Sequence, residues 1–314
     1  PVMSSTTVSV VIPAYNAAPF VERAVRSVLA QTYPVQEFVV VDDGSTDETL
    51  EVLQRLAESE PRLQVLSGPN RGGCAARNRG LAHVTAQYVQ FLDADDWLEP
   101  DKIERDVETI GDRRPALLFG RHRGTDGYVA PPFPEGDGWA VFSRAGLGNT
   151  CSNLFRRDAV LAVGGWDESR PFNQEYDLIT RMLMNEADVV CGSHIATVVD
   201  RQPGTISACF SPAMRDARLR IDARVRAFLR DEGRTAEAAL LDAAMFLQVR
   251  QLFPLDPALA ETLHDELFGC NYVPPATTAN TWKYRLAYRW LGFRGAERIR
   301  FLPQRLRRML SSTS

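Results

Sequence analysis

The sequence has no run of about 18 to 20 consecutive apolar residues, the length that a membrane-spanning helix needs. Its first residues, Pro1 to Thr7, contain no basic segment followed by an apolar one, which is the pattern of a secretory signal. Low-complexity segments and repeats of a fixed period are missing as well. These absences exclude a solenoid and an apolar membrane span, and we expect a cytoplasmic protein, at most peripheral at the inner membrane surface.

Cysteine is scarce, and the positions of the cysteines do not suggest disulfide bonds. The five cysteines are odd in number and have no close pairs. This spacing argues against a disulfide framework and against a zinc site. It favours buried free thiols in a reducing compartment. The residues are Cys74, Cys151, Cys191, Cys209 and Cys270.

Charge is unevenly distributed along the chain, whose net charge is −4. Nine basic residues and one acid, Glu297, lie between Lys283 and Arg308, which gives this tail +8 and leaves −12 for the rest. Aromatic and aliphatic residues interleave with the basic ones over 282–310. That pattern fits a helix in contact with an anionic membrane, but it is more often that of a helical subdomain packing on a core. No nucleic-acid recognition module is visible, so we expect no nucleic-acid partner.

Short apolar runs alternate with helical patterns in the first hundred residues, which predicts an α/β fold with a mostly parallel, Rossmann-like sheet flanked by helices. The predicted strands are 8–12, 38–41, 63–66 and 88–92. From about residue 212 the pattern becomes helical. We therefore predict one domain at 1–208, with a nucleotide-binding half at 1–96 and an acceptor half at 97–208, and a C-terminal helical subdomain at 209–314.

Polar side chains follow three of these strands. Tyr15 follows the first, Asp43 the second, and Asp93 to Asp96 the fourth. Ligands of parallel sheets bind beyond the carboxyl ends of the strands, so these groups should share one edge. Carboxylates one residue apart, such as Asp93 and Asp95, suit a hard cation. Taken alone, such acidic triplets are more often solvated turns.

Four ordered stretches carry a resemblance. They read VVIPAYN at 10–16, VDDGSTD at 41–47, NRGG with ARNRG within 70–80, and FLDADD at 91–96. In order and spacing they resemble family 2 glycosyltransferases of the GT-A fold, over roughly residues 6–208. GGWDE at 164–168 and RQPG at 201–204 agree more weakly.

The resemblance implies a nucleotide site. Tyr15 would pack on the base, Asp43 would accept a hydrogen bond from it, as in uridine-binding members, and Asp93 would approach the ribose and sugar. The nucleotide-binding residues so implied are Pro13, Tyr15, Asp43, Arg77, Asp93 and Ala94.

The resemblance also implies a metal, Mn²⁺ or Mg²⁺, held by Asp95 with Asp96 as a second ligand. Related enzymes often carry a histidine where this chain has Gln202. A neutral amide is a poor metal ligand. His194 lies upstream and is the alternative, although a structural role is the commoner one for such a histidine.

The catalytic base implied by the resemblance is Glu175, which stands where the family usually has aspartate. Asp177 is a second candidate, and its alternative is an acid of a helix first turn, which the helix dipole favours. A single carboxylate base fits an inverting displacement.

The function implied is transfer of a sugar from a nucleotide-diphosphate sugar, UDP-sugar favoured, to a hydroxyl of a glycan or lipid-linked acceptor. A sugar nucleotidyltransferase is an alternative, but it needs a glycine-rich basic loop after the first strand, which residues 13–16 do not supply. A non-catalytic nucleotide-sugar-binding protein stays open because of Glu175 and Gln202.

Overall fold

The computed structural model describes residues 6–145, 147–201 and 211–311. Contacts divide the chain into two compact units, Pro1–Ala208 and Cys209–Ser314. The first unit is a helix-flanked sheet and the second is helical.

The first unit alternates strands and helices over its first hundred residues, as the apolar pattern predicts. Its elements are β1 (Val8–Ala14), α1 (Val21–Leu29), β2 (Phe38–Asp42), α2 (Thr49–Ser59), β3 (Leu63–Ser67), α3 (Gly73–Ala82), β4 (Tyr88–Phe91), β5 (Trp97–Leu98), α4 (Lys102–Ile110), a 3₁₀ turn (Gly111–Arg113), β6 (Leu117–Gly124), α5 (Gly138–Ala145), β7 (Leu154–Arg156), α6 (Arg157–Ala162), α7 (Gln174–Met184) and β8 (Val189–Val199).

The eight strands form one mixed sheet in the order β3-β2-β1-β4-β7-β6-β8-β5. The first four strands pair in parallel, and β6 is parallel to β8. Strands β5 and β7 pair antiparallel to their neighbours. Every residue of β2 and β4 is buried, because helices cover both faces of this part of the sheet.

The antiparallel pairing of β4 with β7 has a consequence for the site. Tyr88 pairs with Arg156 and Val89 with Phe155, so the chain enters β7 beside the carboxyl end of β4. Residues just before β7 are thereby brought next to the loop that follows β4, residues 93–96, which we call the acidic loop.

The second unit contains α8 (Pro212–Asp231), α9 (Thr235–Leu252), α10 (Pro257–Leu267) and α11 (Trp282–Ser311). Ser211 caps α8 and Asp256 caps α10, each followed by a proline at the first helical position. Helix α11 is interrupted at Gly292, which has a φ of 66°. Within the described ranges, none of the helices has both the length and the apolarity to cross a bilayer.

Candidate active site

The ends of β1 and β2 meet the loop before α3. The Asp43 carboxylate accepts backbone N–H groups of Arg71 at 2.9 Å and Gly72 at 2.7 Å. Gly44 has a φ of 73°, and a side chain there would lie 2.6 Å from the Asn70 nitrogen. Asp43 is therefore fixed in place, and each of its oxygens keeps a lone pair for a base.

Tyr15 and Pro13 lie at the end of β1. The Tyr15 ring is 51% exposed, and Pro13 is half-buried. An exposed ring at a strand end offers a flat apolar surface on which a planar base can pack.

Arg77 joins two parts of the site that are far apart in sequence. Its guanidinium lies 2.6 Å from Asp93 Oδ1 and donates to Gln174 Oε1 at 3.0 Å. It also lies over the Trp166 ring, 4.8 Å from the centroid. The buried arginine thus holds the acidic loop against the first turn of α7, and Asp93 and Glu175 share one neighbourhood.

The acidic loop after β4 concentrates negative charge. Burial and repulsion from Asp93 raise the pKa of Asp96 to about 8, and the same two causes raise the pKa of Asp95. Asp96 Oδ1 accepts the backbone N–H of Asp200 at 2.8 Å. Crowded, partly desolvated carboxylates of this kind are stabilised by a cation, so the loop fits a divalent metal.

Ligand atoms of Asp93, Asp96 and Cys151 lie within 4.8 Å of one another, the one such convergence of His, Cys, Asp and Glu side chains in the described ranges. Asp95 lies outside this group. Mg²⁺ and Mn²⁺ prefer oxygen to a thiol, so the carboxylates fit these ions better than Cys151 does.

Arg23 on α1 supports the acidic loop from the side. It donates to the Asp95 carbonyl at 2.6 Å and to Asp200 Oδ2 at 2.7 Å, and it lies 4.0 Å over the Trp97 ring. The sequence gives no signal for this role, because Arg23 reads as an ordinary helix residue.

Glu175 lies in the first turn of α7 and is half-buried. Asn153 Nδ2 donates to its Oε1 at 3.1 Å, and the Thr150 hydroxyl also hydrogen-bonds to it. Burial and, next, the charge of Asp93 raise the pKa of Glu175 to about 8.

Asp177, the second candidate base, is buried and held in an ion-pair network. Its carboxylate lies 2.9 Å from Arg170 Nε and 2.7 Å from Arg181 Nε. Arg181 in turn donates to the carbonyls of Val163 and Gly165. These contacts give Asp177 a structural role.

His194 and Gln202 are the two candidates for completing the metal site. His194 Nε2 lies 2.9 Å from Asp106 Oδ1, and Asp106 also pairs with buried Lys102 at 2.6 Å. His194 is therefore engaged with α4 and is absent from the convergent group of described ligands. Gln202 lies outside the described residues.

Asn78, in the ARNRG stretch at 76–80, connects that stretch to the turn at 164–168. Its amide donates to the Trp166 carbonyl at 2.8 Å and accepts the Trp166 N–H at 2.9 Å. Trp166 packs edge-on against Phe91. The roles of Thr150, Cys151 and Asn153 have no comparable signal in the sequence.

Known proteins are similar to this chain in sequence and in fold. Residues 9–144 match the family model described as glycosyl transferase family 2. This part of the chain is similar to family 2 glycosyltransferase domains. The match includes the acidic loop and the three strand-end motifs before it, and α7 with Glu175 lies beyond it.

Curated relatives are similar over part of the chain. A chondroitin synthase of Pasteurella multocida is 33% identical over 184 residues, 56% of this chain and 18% of the relative. The putative teichuronic acid biosynthesis glycosyltransferase TuaG of Bacillus subtilis is 41% identical over 113 residues, 36% of this chain and 45% of the relative. The chain thus spans less than half the length of either relative.

Solved structures share the GT-A fold with this chain. S. aureus TarS 1–349 in complex with UDP-GlcNAc has a TM-score of 0.70 at 18% identity, covering 96% of this chain and 92% of TarS 1–349. The mannosyltransferase PcManGT of Pyrobaculum calidifontis, in complex with GDP-Man and Mn²⁺, has a TM-score of 0.55 at 21% identity, covering 93% and 84%. At these identities the likeness establishes the fold.

Proposed function

We propose that the protein is an inverting glycosyltransferase that moves a sugar from a nucleotide-diphosphate sugar, UDP-sugar preferred, to a hydroxyl of a glycan or lipid-linked acceptor. The observation that carries the proposal is the bridge made by Arg77, which contacts Asp93 on the donor side and Gln174, next to Glu175, on the other. The acidic loop and the Glu175 carboxylate, whose pKa is raised, therefore lie close together.

The donor site is formed by the strand ends. Tyr15 packs on the base, with Pro13 beside it, and Asp43 accepts a hydrogen bond from the base, which favours uridine. Asp93 and Ala94 contact the ribose and sugar. TarS in complex with UDP-GlcNAc and PcManGT in complex with GDP-Man support a nucleotide-sugar donor on this fold.

Asp95 and Asp96 are the proposed metal ligands, with Asp93 beside them. A bound Mn²⁺ or Mg²⁺ supplies positive charge that stabilises the departing diphosphate. PcManGT in complex with Mn²⁺ supports this choice of ion, and the crowded carboxylates supply the oxygen ligands.

Glu175 is the proposed base. Its ionised carboxylate accepts the proton of the acceptor hydroxyl while that oxygen bonds to the anomeric carbon. The bond from the anomeric carbon to the diphosphate oxygen breaks, its electron pair leaves with the nucleoside diphosphate, and the configuration inverts.

The test is nucleoside diphosphate release from UDP- and GDP-sugars with Mn²⁺, comparing the wild-type protein with Glu175→Gln. Release should fall by roughly 10²-fold or more, because the base is lost. The donor-induced rise in melting temperature should persist, because binding groups are intact. Glu168→Gln, which alters an exposed acid paired with Arg71, is the matched control and should leave release unchanged.

Three outcomes separate the hypotheses. Release by Glu175→Gln at the wild-type rate would refute its role as base. Binding without turnover by the wild-type protein would favour a non-catalytic nucleotide-sugar-binding protein. If no nucleotide sugar is bound, the glycosyltransferase proposal fails.

A second proposal concerns α11, which we infer makes peripheral contact with an anionic membrane. One side of the helix packs inside the second unit, where Tyr288 and Phe293 contact Phe246. Trp282 and Trp290 instead expose 70% and 76% of their surface. Exposed tryptophans among basic residues suit the headgroup region of an anionic bilayer.

Flotation of the intact protein with vesicles tests this contact. We expect binding when phosphatidylglycerol is added to phosphatidylcholine, and loss of binding when Trp282 and Trp290 are both changed to serine. The absence of binding by the wild-type protein would contradict the proposal and leave α11 as a packing helix alone.

A further inference from the structure

A short turn before β7, residues 149–153, lies between the acidic loop and α7. Thr150, Cys151, Ser152 and Asn153 are all buried in it, although three of the four are polar or carry a hydroxyl. Buried polar side chains need partners, so the partners of this turn identify what it does.

The turn contacts both halves of the candidate active site. Cys151 Sγ accepts the Asp93 N–H at 3.2 Å and shares a hydrogen bond with Asp96. Asn153 Nδ2 donates to Glu175 Oε1 at 3.1 Å, and Thr150 hydrogen-bonds to the same carboxylate. One five-residue segment thus connects the acidic loop to the proposed base.

The Asn153 amide cannot turn away from Glu175. Its Oδ1 accepts the Gly120 N–H at 3.0 Å, and its Nδ2 also donates to the Leu147 carbonyl at 2.8 Å. Gly148, at a φ of 75°, leaves room for the amide, since a side chain there would lie 2.5 Å from Asn153 Oδ1. The amide is therefore oriented by the backbone around it, with N–H toward the carboxylate.

The groups that face Glu175 act on its charge in opposite directions. Burial and the negative charge of Asp93 disfavour the ionised form, whereas Arg77 favours it. Hydrogen bonds from Thr150 and Asn153 also favour the ionised form, because both groups donate to it. A general base must be ionised before it can take a proton, so these two donors act in the direction that catalysis needs.

We propose that Thr150 and Asn153 are positioning residues that hold the Glu175 carboxylate in one orientation and favour its ionised form by donating hydrogen bonds to it. This inference rests on the proposed function, in which Glu175 is the base. The two residues act through Glu175 and leave the donor site unchanged.

Thr150→Val and Thr150→Ser form a matched pair for the test. Valine keeps the shape and removes the hydroxyl, whereas serine keeps the hydroxyl. For Thr150→Val we expect a fall in kcat of roughly tenfold near neutral pH, the scale of a hydrogen bond to a charged group. The acid limb of the kcat–pH profile should move to higher pH with an unchanged KM for the donor, and Thr150→Ser should restore both.

Asn153→Asp is the second variant. Its carboxylate lacks the N–H donors and adds a negative charge beside Glu175, so the acid limb should move further upward in protein that still shows a cooperative melt. An acid limb and kcat equal to the wild type in folded Thr150→Val, or a Thr150→Ser that is as impaired as Thr150→Val, would overturn the proposal. Failure of the base assignment is distinguishable, because Glu175→Gln would then retain turnover.

Discussion

Glu175 stands where its negative charge is disfavoured by the surrounding protein. Burial and the charge of Asp93 raise its pKa to about 8, although Thr150 and Asn153 donate hydrogen bonds to it. A carboxyl with a pKa near the working pH is a stronger base than an ordinary one, so the cost in stability has a catalytic use.

Glu175→Gln should therefore raise the melting temperature relative to wild type, and this difference should grow as pH rises. The folded pKa lies above the unfolded value of 4.5, so the wild-type protein loses stability between about pH 4.5 and 8, as the unfolded chain releases this proton first. Glutamine does not titrate. The melting temperature of Glu175→Gln relative to wild type should rise steadily from pH 4.5 to 8.

The comparison must be made without donor or metal, because either would add its own stabilisation. A difference in melting temperature that stays constant across this range would show that Glu175 is ionised in the folded protein as easily as in the unfolded one.

At the scale of elements, α7 is anchored to the turn before it by Asp177. The carboxylate lies between Arg170 and Arg181, and Arg181 also binds two carbonyls of the turn. The anchor fixes where α7 begins, and hence where Glu175 points.

Asp177→Asn should destabilise the protein by about 3 kcal/mol, because it leaves two arginines without their buried counter-charge. The protein that remains folded should still release nucleoside diphosphate from donor, since Glu175 is intact. Denaturant unfolding and turnover, measured together, test this. Loss of turnover with unchanged stability would make Asp177, and not Glu175, the better candidate for the base.

Arg77→Met should lower kcat/KM for the donor by roughly 10- to 100-fold, because a hydrogen bond to a charged group is lost at Asp93 and the acidic loop is released from α7. Arg71→Met is the matched control. Arg71 is 69% exposed and pairs with exposed Glu168, so its loss should change turnover little. Equal effects of the two substitutions would contradict the bridging role of Arg77.

The elements that could be predicted from the sequence are those with a local signal. Apolar runs predicted β1, β2 and β4, and the polar residues that end them predicted one shared edge, where the proposed donor site lies. The turn at 149–153 precedes β7, which begins at Leu154, and it has no apolar run of its own. Its partners, Asp93 and Glu175, lie 58 and 22 residues from Cys151 and Asn153, and no periodicity reports contacts over such distances.

At the scale of the whole molecule, contacts divide the chain into Pro1–Ala208 and Cys209–Ser314, and the sequence pattern becomes helical from about residue 212. The sequence favours a structural role for His194 but could not identify its partner. Its partner Asp106 is 88 residues away, on a different element, and only the folded sheet brings them together. The acidic first unit and the basic segment of α11 are consistent with an anionic donor bound through metal and an anionic surface bound directly.

The measurement that tests the central claim most directly is calorimetric titration of UDP into the full chain with Mn²⁺, repeated with a chelator and with Asp95→Asn. We predict one saturable site, weakened about tenfold or more by either change, because the diphosphate loses its cation. Failure of UDP, GDP and dTDP alike to bind, with Mn²⁺ or Mg²⁺ present, would contradict the assignment of a nucleotide-sugar site to the acidic loop.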